Sequence, residues 1–172
     1  MNVARWDVQA TLLQNGQVLM AQGNAELYNP SNGQWTFTAP MPWPGPGGSA
    51  ALLTNGEVLS YGYHLPSYAS QVYDPFNNTW SLTFGQNYGA ISAGPVMPLG
   101  NGKVLLAGGK PKYGSVTGAS MLYDPSTNRW VLTGSLTPRS GHTLTRLQNG
   151  QVLAVGGGGL SGVLASAELY AP

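Results

Sequence analysis

The 172 residues predict an all-β protein built from four repeated antiparallel units, and three observations carry that prediction. The dipeptide Asn-Gly recurs at Asn15-Gly16, Asn55-Gly56, Asn101-Gly102 and Asn149-Gly150, at intervals of 40, 46 and 48. Each copy is followed by one polar residue (Gln17, Glu57, Lys103, Gln151) and then Val-Leu. A Tyr-x-Pro follows in every unit, at Tyr28, Tyr73, Tyr123 and Tyr170, and Trp35, Trp80 and Trp130 stand seven residues beyond the first three tyrosines. No segment has a 3.6-residue apolar period, whereas 25 Gly and 13 Pro break the chain into pieces suited to short strands and turns.

Each unit reads as four strands. An apolar run (Ala10 to Leu13, Ala50 to Leu53, Pro95 to Leu99, Thr143 to Leu147) meets Asn-Gly. That is the preferred dipeptide of a two-residue type I′ hairpin, where both central positions take φ > 0. A second strand follows and ends in glycine, at Gly23, Gly62, Gly108-Gly109 and Gly156-Gly157. The third strand carries the Tyr, and Asn-Pro or Asp-Pro forces a turn into a fourth strand at the Trp. In the first unit the strands are expected near 8–14, 17–22, 25–29 and 34–38. The run Gly156 to Gly159 is followed by neither a helix nor Lys-Ser/Thr, so it reads as a strand end and a flexible loop, not a phosphate loop.

The strand-ending Gly-Gly, the later Tyr and the Trp beyond it resemble the kelch repeat, the blade unit of a β-propeller family. The third repeat fits best, with Gly108-Gly109, Tyr123 and Trp130 leading to Arg139 and His142, while Gln22-Gly23 and Gly62-Tyr63 depart from Gly-Gly. The resemblance implies a single kelch-type propeller domain over 1–172, with repeats at about 5–44, 45–90, 91–138 and 139–172. It would have four blades, the last lacking its outer strand, or form half of a larger propeller. The third strand of the last repeat (Ala167 to Tyr170) is then expected to leave an open edge, and homo-oligomerisation through such edges is expected.

Composition excludes several classes of function. Seven Lys+Arg against six Asp+Glu give a net charge of +1, and dispersed cations cannot neutralise a run of phosphates, so no nucleic-acid partner is expected. No apolar run reaches the roughly 20 residues of a membrane-spanning helix, so no membrane partner is expected, and the N-terminal stretch lacks the apolar core of a signal peptide. The chain has no Cys, which removes disulfides, thiolate metal sites and cysteine nucleophiles. Low charge with abundant amide, hydroxyl and glycine residues leans toward a secreted or cell-surface setting.

Strands that alternate in direction send two kinds of connection to opposite ends of each unit. The Asn-Gly and Tyr-to-Trp turns share one end and are uniform. At the other end lengths vary: Asn to Tyr spans 13, 18, 22 and 21 residues in the four units. Variable connections on a regular scaffold are where binding residues concentrate. That end would carry Tyr61, Tyr63, His64 and Tyr68, then Lys110, Lys112 and Tyr113, with Trp43, Tyr88, Arg139 and His142 from the connections between units. Aromatic faces beside cations and amides suit sugars or peptide side chains. The repeated Tyr and Trp read instead as seam-filling residues, and Trp43 serves equally well as a proline-packed plug. Arg139 aligns with Arg5, each ten residues before its Asn-Gly, which favours a structural tie to backbone carbonyls.

Catalysis has less support. There are two histidines, no HxH or HExxH spacing and no Gly-x-Ser-x-Gly, and no metal or other cofactor is expected. Glu26, Glu57, Asp74, Asp124 and Glu168 occupy repeat-equivalent positions, with Asp7 the exception. Some kelch propellers are copper-radical oxidases, whose Cys-linked Tyr this chain cannot make; others act on sugars with channel-lining Arg, His and Glu. The expected function is a binding module for a glycan or protein ligand. The alternatives are a sugar-directed enzyme, mutarotase-like or hydrolytic, in which His142 and Arg139 would act, and a purely structural propeller segment.

Overall fold

A computed structural model describes residues 1–5, 9–44, 48–64, 67–85, 94–110 and 114–172, with the backbone alone at 63–64 and 67–69. The described residues are all-β, with no helix. The first sheet is an antiparallel meander of β1 (Ala10–Leu12), β2 (Val18–Met20), β3 (Glu26–Asn29) and β4 (Gln34–Phe37). The second contains β5 (Gly48–Leu52), β6 (Val58–His64), β7 (Ser67–Asp74) and β8 (Thr79–Leu82) in the same order. The third repeats it with β9 (Val96–Pro98), β10 (Val104–Gly109), β11 (Thr117–Asp124) and β12 (Arg129–Thr133). The fourth has three strands, β13 (Thr143–Arg146), β14 (Val152–Val155) and β17 (Ala167–Tyr170), with a separate ribbon of β15 (Gly158–Gly159) and β16 (Gly162–Val163).

The chain divides into two compact units, Met1–Thr83 with the first and second sheets and Phe84–Pro172 with the third, the fourth and the β15–β16 ribbon. In the first unit Leu13, Leu19, Met41, Val58 and Tyr73 form the core, with Trp80 packed against it. In the second, Leu99, Leu105, Leu136, Val152 and Ala154 do the same.

The Asn-Gly turns differ from the expected type I′. Among the described residues only Asn78 and Asn128 are non-glycine residues with positive φ, so the four turn asparagines are not. Gly16 N–H donates to Leu13 O (3.0 Å) and Leu13 N–H to Gln17 O (2.8 Å), enclosing three residues in a type I turn whose glycine, at φ 83°, makes a G1 bulge. The same pair of bonds recurs at Leu53, Leu99 and Leu147. The core explains the choice. The observed register pairs Leu12 with Val18 and Thr11 with Leu19, which sets Leu13 and Leu19 on one buried face. A two-residue loop would pair Leu13 with Val18 and send Leu13 and Leu19 to opposite faces.

In the first three sheets the turn between the third and fourth strands is held by side chains. Asn29, Asp74 and Asp124 each accept the N–H two residues on through Oδ1, closing an Asx turn over the proline. Tyr28–Trp35, Tyr73–Trp80 and Tyr123–Trp130 are cross-strand pairs, with ring centroids 4.9 to 5.3 Å apart. The hydroxyls of the buried Tyr73 and Tyr123 donate to Asn78 and Asn128 at 3.0 and 2.9 Å. These tyrosines and tryptophans are structural.

Two other expectations are corrected. The connection expected after Tyr61, which holds Tyr63, His64 and Tyr68, is not an irregular loop: β6 and β7 continue as a paired hairpin to His64 and Ser67, well past the three- and four-residue β2 and β3. After Gly156 and Gly157 the glycine run pairs as well, Gly158 with Val163 and Gly159 with Gly162.

Candidate ligand-binding site

The segment from Arg139 to His142 enters the fourth sheet and packs on the glycine-rich ends of β10 and β14. Arg139 is fully buried (0% exposed). Its Nη1 donates to the carbonyls of Gly156 (3.0 Å) and Ser166 (3.2 Å), and its Nε to that of Thr137 (3.3 Å). Nη2 donates to Ser166 Oγ (3.0 Å) and to the Glu168 carboxylate. Backbone bonds from Thr137, then burial working against them, then Thr137 and Arg139 again, leave the Glu168 carboxyl below its usual range. Every nitrogen of the guanidinium is thus engaged internally, which is the structural tie expected of it.

Arg5 makes a similar tie in the first sheet through its two terminal nitrogens, which donate to the carbonyls of Gln22 and Asn24 and to Glu26 Oε2 (2.8 Å), while its buried Nε has no hydrogen-bond partner. Burial alone would raise the Glu26 carboxyl, but Arg5 and the Asn2 backbone outweigh it and bring it below its usual value. In the second sheet the position of these glutamates, two before the Tyr, is Gln71. Gln71 clamps the incoming segment with an amide: Trp43 N–H donates to its Oε1 (3.2 Å) and its Nε2 donates to Trp43 O (3.0 Å). Trp43 is thereby fixed by its backbone, with its side chain half-buried.

The Gly-Gly pairs admit this entering segment. A Cβ on Gly108 would lie 2.8 Å from Arg139 O and 3.0 Å from His142 Cε1, and one on Gly157 would lie 2.7 Å from Ser140 O. His142 is 5% exposed, and neither ring nitrogen has a hydrogen-bond partner. Burial first, and the Arg139 charge second, lower its pKa from 6.5, offset in part by the Ala107 carbonyl and Glu168. The folded state therefore resists protonation more than the unfolded chain does, so stability is expected to fall as pH drops below about 6.5. The lowered carboxylates act only at more acid pH. Urea midpoints at pH 7.5 and 5.5 should differ for the native chain, and the difference should shrink in His142→Gln; an equal difference in both would assign it to other groups.

The remaining expected residues separate. Tyr61 is buried in the core, and Lys110 is exposed. The strand register places Tyr63 opposite Tyr68 and His64 opposite Ser67. Tyr88, Lys112 and Tyr113, like Asp7, lie outside the described residues. The roles of Glu26, Glu168 and Gln71 in the ties went unread in the sequence, although a signal existed: the two repeats with Arg ten residues before Asn-Gly are the two with Glu two residues before the Tyr.

Among the described residues, no group of three or more His, Asp or Glu could hold a metal ion. In comparisons with known proteins, the chain matches no family model and no curated protein.

Proposed function

We propose that the chain is a kelch-type propeller segment acting as a binding module for a glycan or protein ligand. Its ligand is taken at the end of the sheets opposite the Asn-Gly turns. The observation that carries this reading is the β6–β7 hairpin, which extends the second sheet at that end and brings Tyr63 opposite Tyr68 in register. Paired strands support side chains more rigidly than an irregular loop, and rigid aromatic groups bind at low entropic cost. The sheet repeat, with Tyr–Trp pairs on the third and fourth strands and glycines at the end of the second, supports the kelch reading. The enzyme reading is less favoured because its central cation, Arg139, has every donor nitrogen occupied. On the kelch reading, the outer edge of β17 accepts a strand from a further repeat or a second copy.

The test is a glycan-array and peptide-library screen of the chain, followed by titration of the ligands recovered against its Tyr63→Ala and Tyr113→Ala variants. Affinity is expected to fall about tenfold or more, as for aromatic anchors, with the melting temperature nearly unchanged. Affinity that is insensitive to both substitutions would move the site elsewhere.

A further inference from the structure

The opposite end of the second sheet departs from the repeat in two places that meet. In the third sheet the residue after Asn-Gly is Lys103, and its ammonium pairs with Asp124, the residue after the Tyr, at 3.0 Å. The equivalent pair in the second sheet is Glu57 and Asp74, two acids. Beyond the turn proline the first and third repeats carry Ser31 and Ser126, whereas the second carries Phe76, which is 94% exposed. Glu57, Asp74 and Phe76 line one groove of about 440 Å³ with Gln14, Asn15 and Asn55, and no Lys or Arg is among its lining residues. That volume is within the roughly 300–1,000 Å³ of small-ligand sites.

Both carboxylates are held in place by neutral donors. Asn55 Nδ2 donates to Glu57 Oε2 (2.8 Å), and Asn77 Nδ2 to Asp74 Oδ2 (2.6 Å). Asp74 Oδ1 also accepts the backbone N–H groups of Phe76 and Asn77. These bonds orient the acids without neutralising them. A fully exposed aromatic ring at a turn tip adds nothing to the fold, since its sister positions are serine. Two oriented anions beside a free aromatic face complement a cation on an apolar stem: the charge meets the carboxylates while the stem and charge lie on the ring. A bare metal ion would make no use of Phe76, and an anionic ligand would be repelled.

We propose that this groove docks a Lys or Arg side chain presented by a peptide segment of a partner protein, in the place that Lys103 fills from within the third sheet. The site lies at the other end of the strands from the one proposed above and stands independently of it.

The probe is the blocked tripeptide Ac-Gly-Arg-Gly-NH2, titrated into the full 15N-labelled chain by NMR, with its citrulline counterpart and maltotriose as neutral comparisons. The expected result is saturable shifts at the Gly56, Glu57 and Phe76 amides with the arginine peptide, weakened by salt and absent with citrulline. Glu57→Lys restores the third sheet's ion pair and should raise Kd at least tenfold, and Phe76→Ser should raise it severalfold. Both import a residue that a sister repeat already carries at that position. Shifts that map elsewhere, survive Glu57→Lys, or appear equally with citrulline would overturn the proposal. Shifts at the same amides with maltotriose but not with the arginine peptide would replace it with a neutral sugar site.

Discussion

Arg139→Met is expected to destabilise the second unit by about 3–5 kcal/mol, the usual consequence of removing one partner from a buried ion pair. The guanidinium serves three carbonyls, Ser166 Oγ and Glu168 at once. Its loss leaves these acceptors without their donor, and each costs about 1–3 kcal/mol where no water takes the donor's place. Glu168 keeps 30% of its side chain exposed, so water can recover part of its share. That places the expectation toward the lower end of the range. Met preserves most of the aliphatic packing, so the measurement isolates the polar network. Urea unfolding of the native chain, Arg139→Met, Glu168→Met and the double variant Arg139→Met/Glu168→Met reads the outcome. The double variant should lose less than the sum of the two single losses, because it strands no charge. A loss below about 1 kcal/mol for the single variant would show that water replaces the guanidinium and that the tie is dispensable.

Gly118→Ala is expected to be at least as damaging. Gly118 stands near the start of β11, where its carbonyl accepts the Leu136 N–H at 2.8 Å. A Cβ there would sit 1.8 Å from Leu136 O and 2.8 Å from Leu136 C, both backbone atoms with no rotamer to escape into. Leu136 belongs to the core of the second unit, so moving it away breaks both the bridge and the packing. The expected loss is above about 4 kcal/mol, in the range reserved for severe backbone or core damage. Gly134→Ala is the control, since nothing lies within 4 Å of its Cβ position and its φ is not positive. It should be neutral or stabilise by about 0.4–1 kcal/mol by restricting the unfolded chain. Parallel thermal melts decide the matter; equal midpoints for the two variants would mean that the segment around Leu136 shifts freely.

Both effects arise where a segment joining two sheets is pressed against its neighbours, and such places were the least legible in the sequence. Strand positions were legible because repetition supplies four readings of one pattern: β17 is found at Ala167–Tyr170 as expected, and β1 to β4 fall within the expected bounds. The Tyr and Trp positions were legible because an identical cross-strand pairing demands identical spacing. The lengths of β6 and β7 were not, because Gly62 to His64 and Ser67 to Tyr68 carry ordinary loop composition and only pairing across the hairpin makes them strands. The turn-end groove was not legible in the sequence for a related reason. Glu57 and Asp74 are seventeen residues apart in the chain and look unremarkable until the two turns lie side by side.

The sequence by itself determined the fold class, the order and approximate bounds of the strands, the four-fold repeat and the residues that stack within it. These follow from local turn chemistry and a fixed spacing, which need no knowledge of distant contacts. Tertiary structure alone decided the turn type, because a choice between two- and three-residue loops depends on whether Leu13 and Leu19 must face the same core. It alone decided that Arg139 is spent within the fold and that Tyr61 is buried. It also decided that two acids and a bare aromatic ring share one groove. In each case the deciding quantity is a distance between residues far apart in the chain, which residue order leaves open and packing sets.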